Sequence, residues 1–143
     1  MVYLEYELIK RKYHKAQERF DAILTEQEQL FVRTLPKAIT YDKDHVQCSP
    51  YGEVLEDYMI AKEEKHIDDR LRKMRRVILD RQKLLDDKER ELRRSREIID
   101  MVYTFRFLDG MGVNRISRLV NCSRASVYRT LREIKKNLKV ETL

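Results

Sequence analysis

The chain has 143 residues, of which 39% are Asp, Glu, Lys or Arg, with three Gly, two Pro and no Trp. That balance is far from an α/β enzyme composition and close to that of long helices. Its 31 basic and 25 acidic residues leave a net charge of +6. No apolar run approaches the ~20 residues of a membrane span. The opening MVYLEYELIKRKYHK carries acids where a secretory signal needs a continuous apolar stretch, so a cytoplasmic protein is expected.

Residues 2–33 are predicted as one long helix. Val2, Tyr6, Ile9, Tyr13, Ala16, Phe20, Ile23, Gln27 and Leu30 follow a 4-3 spacing in which only Gln27 is polar, a narrow seam of the coiled-coil kind. Pro36 stops it, because proline lacks the N–H donor and disfavours helix at Leu35. Residues 34–52 hold both prolines and read as a long connection. His45 and Cys48 lie there as an isolated HxxC. A zinc site wants about four ligands, so neither a metal nor another cofactor is expected. Cys48 and Cys122 form no disulfide framework.

From Glu53 a second helix is predicted to run about forty residues, or roughly 60 Å at the α-helical rise. Leu71, Ile78, Leu85, Leu92 and Ile99 form one seven-residue lane, while the companion lane passes from Ile67 and Met74 to Arg81, Lys88 and Ser95. The simplest packing folds helix 2–33 back on the apolar part as an antiparallel hairpin. The polar half then protrudes or pairs with a second subunit, with Arg81 and Lys88 snorkelling at an edge. The Leu71-to-Ile99 lane is thus the candidate seam of a homodimer. The expected division is a coiled-coil arm over residues 1–93 and a compact three-helix head over 94–143. In the head Ile98, Ile99, Val102, Phe105 and Leu108 supply core, Gly110 stops the first helix and Gly112 caps the next. Helices are predicted at about 94–108, 113–120 and 124–138, and the fold class is all-α.

Residues 109–131, DGMGVNRISRLVNCSRASVYRTL, have the layout of a helix-turn-helix. Ile116, Val120, Cys122 and Val127 are apolar where two helices and a tight turn meet, and Ser117 is small where they cross. Asn121 falls where the turn needs a left-handed residue, which Asn tolerates. Ser123 is placed to accept an orphan N–H of the second helix. Arg124, Ala125, Ser126, Tyr128, Arg129 and Arg132 then remain to face a major groove. Of these Arg132, with Arg115, Arg118, Lys135, Lys136 and Lys139, is expected mainly on phosphates. Charge points the same way: residues 1–47 hold eight bases against eight acids and 48–93 twelve against twelve, but 94–143 hold eleven against five. The entire surplus lies over the head, as a footprint for a polyanion would.

The stretch LDGMGVNRISRLVNCSRASVYRTLREIKKNL resembles region four of bacterial sigma factors, gap-free across the turn. The whole layout resembles the ArpU and RinA-like late-gene activators of phages and prophages of Gram-positive bacteria. Asn121 stands where such turns usually carry Gly, and Arg115 and Arg118 where the first helix is often acidic. The resemblance implies a transcriptional activator that binds double-stranded DNA near a promoter, contacts RNA polymerase and works at the nucleoid. Two other readings use the same features. One is a DNA-packaging protein of the small-terminase kind, and the other a coiled-coil adaptor with a non-specific basic tail. An enzyme is not expected: no Gly-rich phosphate loop, paired metal ligands or nucleophile–base pair is legible.

Overall fold

The computed structural model describes the backbone of residues 1–34 and 50–140 and the side chains of residues 1–33 and 57–140. Every element in them is helical: α1 (Val2–Thr34), α2 (Pro50–Arg94), α3 (Ile98–Tyr103) running into a π-helical turn (Thr104–Leu108), α4 (Val113–Leu119) and α5 (Arg124–Val140). Among the described residues there is no strand, and no helix is long and apolar enough to cross a membrane. The expected stop at Pro36 and the His45/Cys48 pair lie outside the described residues.

Two compact units divide the chain, and the division differs from the expected one at residue 93. One unit joins Met1–Tyr13 to Asp80–Leu143, and the other is His14–Leu79. In the second, α1 and α2 run antiparallel, as the salt bridges Arg70–Glu26 (2.6 Å) and Arg33–Glu63 (3.6 Å) require. Ile23 and Leu30 pack with Ile67 and Leu71, and Phe20, Leu24, Ile60 and Met74 close around them. The Arg75 guanidinium lies 5.9 Å from the Phe20 ring centroid, a cation–π distance. Gln27 is exposed, as the polar member of a buried seam should be.

The first unit corrects two expectations. The polar half of the α2 seam neither protrudes nor waits for a second subunit, because the first turns of α1 pack on it. Lys88 bonds Glu5 and Glu91, and Arg81 donates to the Lys12 carbonyl at 2.6 Å. Both cations therefore sit at an edge, Lys88 ion-paired and Arg81 hydrogen-bonded to backbone, consistent with snorkelling. The proposed dimer lane is likewise occupied. Leu71 is buried in the α1–α2 cluster of its own unit, and Leu92 in the core of the other with Leu85 and Ile99 against it.

The head is not a free-standing three-helix unit. Tyr3 and Tyr6 of α1 and Leu92 of α2 share one core with Val102, Tyr103, Ile116, Val127, Leu131 and Ile134. Of the expected core residues Val102 is fully buried, Ile99, Phe105 and Leu108 pack at its margin, and Ile98 is exposed. The continuous helix expected from residue 94 is broken at 95–97, although no Gly or Pro marks the place. Ser95 and Asp100 explain the break. Ser95 Oγ accepts the Glu97 N–H at 3.3 Å and donates to Asp100 Oδ2 at 2.7 Å, a side-chain alternative to the helical ladder.

Asp100 is fully buried, and its carboxylate also accepts the backbone N–H groups of Val2 (3.2 Å) and Tyr3 (3.0 Å). The first N–H groups of any helix lack intrahelical partners. Here α1 receives its cap from a residue 97 positions away. Tyr3 stacks on Tyr103 at 5.2 Å, and its hydroxyl accepts Asn137 Nδ2 of α5 at 2.9 Å. Arg11 donates to the Leu138 carbonyl at 3.4 Å. The start of α1 thus ties down the C-terminal part of α5.

Candidate nucleic-acid interface

The segment between α3 and α5 is set by local backbone chemistry. Gly110 has φ +67°, and the Met111 N–H closes back to the Phe105 carbonyl at 2.8 Å, which ends the π-helical turn. Gly112, extended at φ −75° and ψ 154°, caps α4, its carbonyl accepting the Arg115 and Ile116 N–H groups. Asn121 sits at φ 55°, and the Cys122 N–H bonds the Ser117 carbonyl at 3.0 Å. This is the Schellman closure with Asn in the left-handed position usually held by Gly. Ser123 Oγ accepts the Ser126 N–H at 3.2 Å and so caps α5. Each of these turn assignments was legible from residue type.

Behind the turn Ile116 and Val127 are buried, with Val120 and Cys122 packed at the margin. Ser117 Oγ turns back to the Asn114 carbonyl at 2.9 Å. On α5 the buried stripe is Val127, Leu131 and Ile134. At about 100° per residue the opposite face is centred on Ala125, Arg129, Arg132 and Lys136, all exposed. Arg124, Tyr128, Lys135 and Lys139 form one flank of that face.

Ser126 does not join them. It is half-buried, lies roughly 160° around the helix from Arg124, and its carbonyl accepts the Thr130 hydroxyl at 3.1 Å. Ser123 is exposed but committed to capping. The candidates therefore fall into an exposed set on α5, an exposed pair on α4 (Arg115 and Arg118), and two serines that shape the helix start.

What separates this surface from the rest of the molecule is its surplus of bases over acids, eleven against five in residues 94–143. Some cations on α1 and α2 are engaged: Arg33 by Glu63, Arg70 by Glu26, Lys88 by Glu5, and Arg93 by Glu89 and Asp109. Others there, such as Lys65, Arg72 and Arg76, are unpaired among the described residues but interleave with acids along the same helix. The bonds to Glu89 and Asp109 push the Arg93 guanidinium above its usual pKa, and the Lys88 bond holds Glu5 below the usual carboxylate range. Here Arg115, Arg118, Arg124, Arg129, Arg132, Lys135 and Lys136 have no ion-pair or hydrogen-bond partner among the described residues, and few acids lie beside them. Glu133 is the one acid within α5. Seven unneutralised cations on two adjacent helices are a ready surface for phosphate oxygens, which accept from Arg and Lys through charge-assisted bonds.

Sequence reasoning took Ile98, Ile99, Val102, Phe105 and Leu108 of this stretch as core and gave Arg106 and Phe107 no role. Both are exposed, and both face a cleft against α5. The π-helical turn, which adds a residue to the helical repeat, rotates them outward; nothing in the apolar pattern announces it. No cluster of three or more His, Cys, Asp or Glu able to hold a metal occurs among the described residues.

No protein family, curated protein or solved structure matches the chain. The case for function therefore rests on the residues themselves.

Proposed function

We propose that this protein is a sequence-specific double-stranded DNA-binding regulator of transcription, with α5 as its reading helix. The observation that carries the reading is the run of unpartnered cations over α4 and α5, set behind a capped tight turn. An α-helix with its side chains is about 10–12 Å across and fits a major groove about 12 Å wide. In this reading Arg129, with Arg124 and Tyr128 beside it, reaches base edges; a guanidinium is the group best suited to guanine O6 and N7. Arg115, Arg118, Arg132, Lys135 and Lys136 fix register on phosphates, which carry no sequence information directly. Ala125 lets the helix approach closely, and Ser123 and Ser126 act through the cap.

The resemblance to sigma region four and to the ArpU and RinA-like activators extends the proposal to a phage late-gene activator working beside RNA polymerase. One such head offers few base contacts. The target is therefore expected to be short, unless two copies assemble by a surface other than the occupied α2 lane. Selection of bound duplexes from a random DNA pool tests the reading. A consensus supports it, and a symmetric consensus reports two copies. Salt-sensitive binding with no enriched sequence would leave only a basic adaptor.

A further inference from the structure

Beside α5 lies a cleft of about 410 Å³ that shares Tyr128, Arg132 and Lys135 with the duplex-binding reading but adds Arg106 and Phe107, which that reading does not use. Val113, Leu131, Phe107 and Tyr128 give it an apolar and aromatic lining. Arg106, Arg132 and Lys135 line it as well, and no acidic side chain does. The volume lies within the range of small-ligand sites, roughly 300–1,000 Å³.

The Phe107 ring is 45% exposed yet held from behind, stacked on Tyr103 at 5.0 Å and 28°. Tyr103 in turn stacks on Tyr3, so Phe107 ends a fixed column of three rings. Tyr128, 53% exposed, lines the same cleft. Arg132 and Lys135 follow it at i+4 and i+7, within about 60° of it around α5, and neither has a partner among the described residues. Arg106 keeps its guanidinium at the cleft by donating to the Met111 carbonyl at 3.0 Å.

Flat aromatic platforms beside unpaired cations are the recognition chemistry of unpaired nucleotides. The base stacks on a ring and the phosphate meets the charge, largely without regard to sequence. An acidic peptide would use the cations but leave the two ring faces without a matching group. We propose that the cleft accepts one unpaired nucleotide of a DNA strand continuous with the bound duplex, the base against Phe107 and Tyr128 and the phosphate against Arg132 and Lys135. This rests on the duplex-binding reading, since α5 supplies both surfaces.

The test uses the full chain and a duplex recovered by the selection above, with a two-nucleotide 2-aminopurine bulge moved stepwise across and beyond the site. The expected result is a position at one flank where the bulged duplex binds roughly tenfold tighter than the paired one. There 2-aminopurine fluorescence falls on binding. Phe107→Leu, which keeps an apolar side chain but removes the ring, should abolish both effects and leave paired-duplex binding within about twofold; its melting curve checks that it folds. Paired-duplex binding with no preferred bulge position overturns the cleft assignment and leaves the regulator reading standing. Tighter uptake of a free deoxynucleoside monophosphate than of the bulge overturns the strand as source, and displacement of the bulge by a poly-glutamate peptide overturns a nucleotide as occupant. If no duplex is bound, the regulator reading fails. A single-stranded 2-aminopurine oligonucleotide then decides the cleft: quenching lost in Phe107→Leu retains it, and no quenching overturns it.

Discussion

Replacing Asp100 by Ala should be among the most damaging single changes available in this chain. The carboxylate is fully buried and accepts three bonds, from the Val2 N–H at 3.2 Å, the Tyr3 N–H at 3.0 Å and the Ser95 hydroxyl at 2.7 Å. Hydrogen bonds to a charged group contribute about 1.5–3 kcal/mol each, and a buried donor left without a partner costs about 1–3 kcal/mol. The three bonds share one acceptor group and are not additive, and Ser95 can turn its hydroxyl elsewhere. A loss of about 3–5 kcal/mol follows, a large fraction of the 5–15 kcal/mol typical of a folded protein.

Asp100→Asn keeps one acceptor oxygen but turns an amide toward the remaining N–H. It should lose about half as much, so that stability runs wild type, then Asn, then Ala. Urea denaturation of the full chain followed by circular dichroism measures the order. Hydrogen exchange at the Tyr3 amide should accelerate in both variants, because that proton loses its acceptor. An Ala variant within about 1 kcal/mol of wild type would show that the α1 cap contributes little. An Asn variant as stable as wild type would show that the charge is unnecessary.

Other expectations follow from the same geometry. Burial, together with the bond that its hydroxyl donates to Glu7, pushes the Tyr103 phenol well above its usual value of 10.0. The unfolded chain therefore ionises first, and the stability owed to this group is whole below pH 10 and declines as pH rises beyond it. Tyr103→Phe should flatten that alkaline limb, which denaturation at a series of pH values would reveal. Asn121, at φ 55°, should tolerate Gly with unchanged or slightly greater stability, whereas Val should cost about 1–2 kcal/mol in the left-handed conformation. Equal melting temperatures for the Gly and Val variants would contradict the turn geometry. Arg129→Ala should weaken binding to a selected duplex by about 1–3 kcal/mol and relax one base position. Lys136→Ala should weaken all duplexes alike and reduce the slope of log affinity against log salt by about one unit. Identical specificity profiles for wild type and Arg129→Ala would remove Arg129 from the reading set.

The turn between α4 and α5 was legible because each of its requirements is met by a residue within a few positions. Asn121 takes the left-handed site and Ser123 caps α5, just as Gly110 stops the π-helical turn before α4. The two long helices were legible from their seams for the same reason, since periodicity repeats one local condition many times. The candidate surface was legible in outline through its surplus of charge. Its finer composition was not: Ser126 lies roughly 160° from Arg124 because the buried stripe sets how α5 is rotated, and that stripe is chosen by Ile116 and by the first turns of α1.

Local sequence thus determined which segments are helical, where the turns fall and which segment carries the unbalanced charge, because those properties depend on neighbours in the chain. Tertiary structure decided what each seam meets. It set the start of α1 against the end of α2 and against α5, closing the lane that looked free for a second copy. It broke the helix at 95–97 by giving Ser95 and Asp100 better partners than the ladder. It turned Phe107 outward through one π-helical turn. A lone acid in an apolar stretch can be expensive or indispensable, and only the donors delivered from 97 residues away settle which.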